Sequence, residues 1–305
     1  MRNLFAAAAA AAGAGLAALG AVPAHAHVVV GERVFPVTLT FDDPGVGDEA
    51  TVPQVVYQPG ASGQKQYQVQ WEYDKRITPY TALIYNQGYD VLTQPGMKTR
   101  TGFENAAISG KWQSLTIPQS ETVVSLGVIQ ELGGGSATQN TGGDATGTTA
   151  PTIYAGQGLG ALPIGLLRPL AITGELNYNI PNHRLNSDGD NKGQPFSWTG
   201  GVSLQYSVPY LQANVKHYDM PAFFGRMIPL VELTWFSPAA GPAQGLPANF
   251  TIAPGVIYFG DTFQVGLEAL IPGNKAAGPH LGAILQVHFF FDDLFPKSLG
   301  RPLFQ

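Results

Sequence analysis

The chain has 305 residues, with 16 Lys and Arg against 21 Asp and Glu, a formal net charge of −5 and only 12% charged residues beside 44% apolar ones. The negative balance, without any basic cluster, excludes a general nucleic-acid binder. The lack of cysteine excludes disulfides, thiol nucleophiles and zinc-ribbon sites. Few charges and 38 glycines suit a β-rich protein with little charged surface.

The first stretch, residues 1–26, reads as a secretory signal peptide. Arg2 supplies a basic start, an apolar run extends from Leu4 to Val22, and Ala24-His25-Ala26 offers a small-residue cleavage site. The exported chain is then expected to begin at His27. Residues 27–50 follow as a lead-in or plug on the periplasmic side, with an Asp-Pro-Gly turn signal inside "FDDPGVGDE". From residue 51 to 291, strand-like segments recur: Thr51–Gln58, Lys65–Asp74, Tyr80–Tyr89, Gly102–Ile117, Thr122–Leu132, Thr152–Leu159, Leu167–Ile180, Phe196–Val208, Met227–Phe236, Phe250–Tyr258, Thr262–Ile271 and Leu281–Phe291. A short helical turn is expected near Pro221–Gly225, and residues 292–305 form a C-terminal tail.

Several of these segments alternate strictly. In "LAITGELNYNIP", Ile172, Leu176 and Tyr178 share one parity, whereas Thr173, Glu175, Asn177 and Asn179 share the other. A strand places the two sets on opposite faces. The same pattern recurs around Glu72, Glu232 and Glu268. A soluble sandwich would also alternate, so the connections have to discriminate. They run alternately short and long, which is the asymmetry of outer-membrane barrels with short periplasmic turns and long external loops. Loops such as "GGGSATQNTGGDATGTTA" and "PNHRLNSDGDNKGQ" are expected outside. The stretch "PYLQANVKHYDMPAFFGR" is long on the periplasmic side. Either it folds as an ordered turn or the strand count is off by two.

The fold expected is an antiparallel transmembrane β-barrel of about twelve strands. Its hydrophilic parity nominates Glu72, Lys111, Glu175, Asn177, Glu232, Glu268 and His288 as lumen-lining residues. They could line a polar pore, or form a network that fills a narrow barrel and satisfies itself. Trp71 and Trp112 are expected near the inner strand ends, and Tyr178, Trp198 and Trp235 near the outer ends, as two aromatic girdles. No catalytic residue is nominated, since no G-x-S-x-G or other joined nucleophile motif occurs. No metal site is nominated either, because the histidines lack ligand spacing. The protein is read as a non-enzyme without cofactors.

The segments "FPVTLTFDDPGVGDEATVP", "GLLRPLAITGEL", "PYLQANV", "IPLVELTWFSP" and "FFFDDLFPKSLGRPLF" together resemble a family of Gram-negative exported proteins, many of them labelled transporters or grouped with the barrels of phenol-degradation meta-pathways. The resemblance covers nearly the whole exported chain. It implies an outer-membrane barrel, with outer-membrane lipid and the barrel-assembly machinery as partners, and it carries no site residues. Its label suggests small aromatic or hydrophobic solutes. The chain departs from ordinary barrels at its end, where "HFFF" closes the last strand and "DDLFPKSLGRPLFQ" continues. The function expected is a narrow channel or transporter for small solutes. The alternatives are a structural barrel with a filled lumen and a soluble exported β-sandwich binding protein.

Overall fold

The computed structural model describes residues 28–142, 146–182, 195–240 and 247–304. The expected signal peptide and its cleavage site lie outside the described residues, as do residues 143–145 and 183–194 of the two loops expected to be external. A two-stranded hairpin comes first, β1 (Val28–Val30) and β2 (Arg33–Phe35). Its tight turn uses Gly31 at φ 65°, where a Cβ would lie 2.4 Å from the carbonyl oxygen of Pro118. Only glycine suits both the left-handed backbone and that approach.

Residues 36–48 then lead to β3 (Glu49–Pro59). After it come β4 (Lys65–Thr78), β5 (Thr81–Thr93), β6 (Arg100–Phe103), β7 (Ala107–Ile117), β8 (Thr122–Glu131), β9 (Thr148–Gly158) and β10 (Leu170–Pro181). The chain ends its strands with β11 (Phe196–Tyr206), β12 (Met227–Ala240), β13 (Asn249–Phe259), β14 (Phe263–Pro272) and β15 (Gly282–Phe290). Every pairing is antiparallel and joins sequence neighbours, apart from the seam and from β5–β7, which skips β6. There β3 pairs with β15, Val56 opposite Ile284 and Glu49 opposite Phe290, so that the sheet closes into a barrel of twelve strands with β6 as a branch. Closure satisfies every strand's backbone internally, the condition for crossing hydrocarbon.

Three expectations are corrected: that Gly102–Ile117 is one strand, that the strands from Lys65 and Tyr80 end at Asp74 and Tyr89, and that Trp71 lies near an inner strand end. The segment Gly102–Ile117 is two strands, not one. β6 pairs with the outer half of β5 and β7 with its inner half, and between them Glu104 N–H donates to the Gly88 carbonyl at 2.9 Å. β4 and β5 run on to Thr78 and Thr93, past Asp74 and Tyr89. Trp71 therefore lies midway along β4, not near its inner end. The long "PYLQANV" connection takes the ordered-turn alternative, with α1 (Val208–Asn214) and α2 (Ala222–Gly225). Ser207 caps α1 by accepting from Tyr210 N–H, and Pro209 occupies its first turn.

The two barrel ends differ. β4–β5, β7–β8 and β13–β14 join by brief turns at the end where Glu49 and Phe290 also lie; the opposite end carries the connections 94–106, 132–147 and 182–195. We call these the short-turn and long-loop ends. The outer face is apolar all the way round. Leu126, Val128, Ile172, Leu176, Val202, Leu204, Val231, Leu233, Leu267 and Leu285, on six strands, are 38–55% exposed. A continuous belt of this extent is unsustainable in water and belongs in lipid. Tyr178, Phe196 and Trp198 cluster on it toward the long loops, and Tyr258, Phe263 and Phe223 toward the short turns. Trp235 lies over Gly200 toward the long loops, and Trp112 pairs with Thr81, the first residue of β5. Trp71 packs edge-on against Phe103.

Candidate functional site

Inward side chains surround a segment of the chain itself. Residues 36–48 leave the short-turn rim, rise to mid-barrel and return to it at Glu49, so the segment is a loop inserted from one end. A buried backbone without a strand partner must find side-chain partners, and the inward parity supplies them. Gln264 donates to Val37 O at 2.7 Å and accepts from Val37 N–H at 3.2 Å. Gln286 donates to Thr38 O and Gln54 to Leu39 O. Glu232 accepts from Leu39 N–H at 3.2 Å, from Thr40 N–H at 2.8 Å and from the Thr40 hydroxyl. Glu175 accepts from Asp42 N–H at 2.7 Å and, on its other oxygen, from Asn177 Nδ2. Lys111 pairs with Asp42 at 2.5 Å, donates to Asp43 O at 3.1 Å, and lies 4.6 Å above the Tyr154 ring. Ser125 donates to Pro44 O. These partners come from β3, β7, β8, β10, β12, β14 and β15, all round the wall.

Steric room comes from glycine. A Cβ on Gly201 would sit 2.1 Å from the Phe41 ring, and one on Gly266 would sit 2.6 Å from Leu39. Leu39 also meets an apolar patch on the inner wall, Ile228, Leu230, Ala253, Ile257, Leu270 and Ile284. The inner face is thus polar where it meets the loop's backbone and apolar where it meets Leu39.

Both feet of the loop are fastened at the short-turn end. At the first, Arg33 is fully buried, donates to Glu121 at 3.1 Å and to Pro169 O at 2.9 Å, and lies 3.8 Å over the Tyr210 ring. At the second, Asp48 accepts from Lys75 at 2.5 Å, and from the Arg76 backbone and guanidinium at 3.0 and 2.7 Å. Arg76 Nη2 also lies 2.7 Å from Asp292, at the start of the C-terminal tail. Burial pushes the Asp292 carboxyl up to about 8, with Arg76 opposing and Asp48 reinforcing the rise. The tail then runs under the rim, with Leu303 and Phe304 N–H donating to Arg76 O and Ile77 O.

Each residue nominated for the lumen has a definite place. Glu72 accepts from Asn86 at 3.2 Å beside the loop. Glu175, Asn177, Lys111 and Glu232 belong to the contacts above. His288 bridges Glu49 at 2.9 Å and Thr51 at 2.8 Å. Glu268 lies inward, 2% exposed, with neither carboxylate oxygen bonded among the described residues. Sequence reasoning missed Gln54, Ser125, Gln264 and Gln286, which carry as much of the loop as the acids do. Their inward parity was readable, but an uncharged amide raises no alarm in a β-strand.

Between the loop and the wall a cavity of about 250 Å³ remains, lined by Phe41, Asp42, Glu72, Ser109, Tyr154 and Glu175 among others. Toward the long loops, Glu104 folds over Gly88 and accepts from Gln68.

This is the architecture of an outer-membrane-type β-barrel. Solved structures of that class share it: the NanC porin (TM-score 0.51, 8% identity, covering 79% of this chain and 98% of that one), and an outer membrane channel from Pseudomonas putida F1 (TM-score 0.51, 11% identity, 84% and 99%). At these identities the likeness concerns the fold. No protein-family model matches the chain, and no curated protein matches it. Within the class, this chain is a channel-like barrel whose lumen holds a loop of its own N-terminal segment.

Proposed function

We propose that the protein is a narrow outer-membrane channel for small hydrophilic solutes, constricted at mid-height by residues 36–48. One observation carries the reading: a closed barrel with a lipid belt retains a cavity of about 250 Å³ beside an inserted loop, with acids, amides and hydroxyls set among apolar side chains in its wall. A twelve-stranded barrel is only modestly wider than the eight-stranded ones that side chains fill, so one inserted segment is enough to throttle it. Loop lengths orient it with the short turns in the periplasm, and the loop then enters from that side. Acids and amides dominate the polar part of the cavity wall, which favours polar solutes over the small aromatic compounds suggested by the family resemblance. Outer-membrane lipid surrounds the belt, and the barrel-assembly machinery inserts it. No catalytic step is assigned.

The dense bonding of the loop favours one rival, a structural barrel with a permanently filled lumen. Planar-bilayer recording separates the two. The native protein should show small, infrequent conductance, and replacement of residues 37–43 by a Gly/Ser segment of equal length should raise mean conductance at least tenfold. If the replaced protein keeps its heat-modifiable migration and still does not conduct, the channel reading fails and the structural barrel stands.

A further inference from the structure

The wall of the luminal cavity is chemically one-sided. Asp42, Glu72 and Glu175 border it, and no Lys, Arg or His does. The nearest cation, Lys111, is committed to Asp42 and to the Asp43 carbonyl. Two hydroxyls on the same wall are unspent. Ser109 is 9% exposed and Tyr154 1%; both line the cavity, and neither hydroxyl has a hydrogen-bond partner among the described residues. Buried polar groups ordinarily find partners, so a wall that leaves two hydroxyls open beside three acids is built for something to lie against it. Only Oε2 of Glu72 is engaged, by Asn86.

Size and the apolar part of the wall narrow the occupant. At about 250 Å³ the cavity is smaller than the roughly 300–1,000 Å³ that drug-sized ligands occupy. Among the described residues no three His, Cys, Asp or Glu are placed to hold a metal ion. Phe41, Ile84 and Ile129 face the same space, and they suit methylene groups.

We propose that this cavity binds a small primary amine, with one or two ammonium groups on a short alkyl body. The ammonium has three donors and no acceptor. Glu72, the Ser109 and Tyr154 hydroxyl oxygens and, on the far side, Asp42 and Glu175 accept them, while the alkyl body lies against Phe41 and Ile129. This deepens the channel reading by naming its solute class, and rests on that reading only for the route by which the amine arrives.

The test is calorimetric titration of the full exported barrel in detergent, with heat-modifiable migration as the check on folding. 1,4-Diaminobutane should bind saturably in the millimolar range or tighter, and butane-1,4-diol, the uncharged isostere, should not. Glu72→Gln should weaken binding at least tenfold, and Tyr154→Phe, which removes only a hydroxyl, several-fold. Equal binding of the diol, no binding of the diamine, or displacement of the diamine by magnesium at equal concentration would each overturn the proposal. So would unaltered affinity in both variants. Binding is read without transport, so a barrel that binds the diamine and fails to conduct sinks the channel reading alone.

Discussion

Glu232→Gln is the sharpest perturbation of the inserted loop. The carboxylate serves three donors: Leu39 N–H on one oxygen, and Thr40 N–H with the Thr40 hydroxyl on the other. Glutamine keeps one acceptor and turns an NH₂ toward the remaining donors. The hydroxyl can rotate and accept from that NH₂, but Thr40 N–H cannot. A hydrogen bond to a charged group is worth about 1.5–3 kcal/mol. Relief of the buried carboxylate's desolvation returns part of it, leaving a net loss of about 1.5–3 kcal/mol once the unsatisfied amide is included. At about 1.4 kcal/mol per decade, the withdrawn population of the loop should rise roughly 10- to 100-fold. The chain has no cysteine, so Thr38→Cys, at a position 2% exposed, makes a single reporter. Maleimide labelling of Thr38→Cys in the Glu232→Gln background should be faster than in the parent by that factor, with heat-modifiable migration unchanged. Equal labelling rates would refute the assignment of Glu232 as a fastening of the loop.

Two further outcomes follow from the same geometry. Gly201→Val places a side chain where Phe41 already sits; overpacking of this kind should cost about 1–3 kcal/mol, read as a lowered midpoint of heat-modifiable migration, and Phe41→Ala in the same chain should restore it. Asp292 has a folded-state pKa raised to about 8 above an unfolded value near 3.9, so its contribution is fully present below about pH 4 and is lost as pH rises through about 8. Asp292→Asn should therefore match the parent in acid and exceed it in thermal midpoint at pH 9; a parent-minus-variant difference that is flat with pH contradicts the assignment.

Much of the barrel was legible because lipid and lumen impose opposite chemistries on alternate residues. Ile172, Leu176 and Tyr178 against Thr173, Glu175 and Asn177 fix the facing of β10, and strict parity leaves no freedom to slip by one residue. Where both faces are apolar the signal fails. In β12, Ile228 and Leu230 point inward as Val231 and Leu233 point outward, and nothing local announces that Leu39, nearly two hundred positions earlier in the chain, covers the inner pair. The loop itself illustrates the same limit. Its acidic "FDDPGVGDE" marked it as a lead-in or plug, but its anchoring depends on polar side chains scattered over seven strands, and on glycines between them, whose meaning exists only after closure. Trp71 was misplaced because β4 extends past Asp74 with charged residues, Lys75 and Arg76, that fasten Asp48 instead of ending the strand.

Both feet of the inserted loop stand on one rim, Arg33 at the first and Asp48 at the second. Nothing has to be passed through a closed ring. The seam between β3 and β15 can zip while residues 36–48 still hang outside the short-turn end, and the loop can enter afterwards from that end. The topology thus permits closure and occupancy as separate events, with strand pairing at the seam independent of the loop's entry. Fully extended, the thirteen-residue tether spans at most about 45 Å, so a withdrawn loop stays leashed beside the opening it vacates and can return without any refolding of the wall.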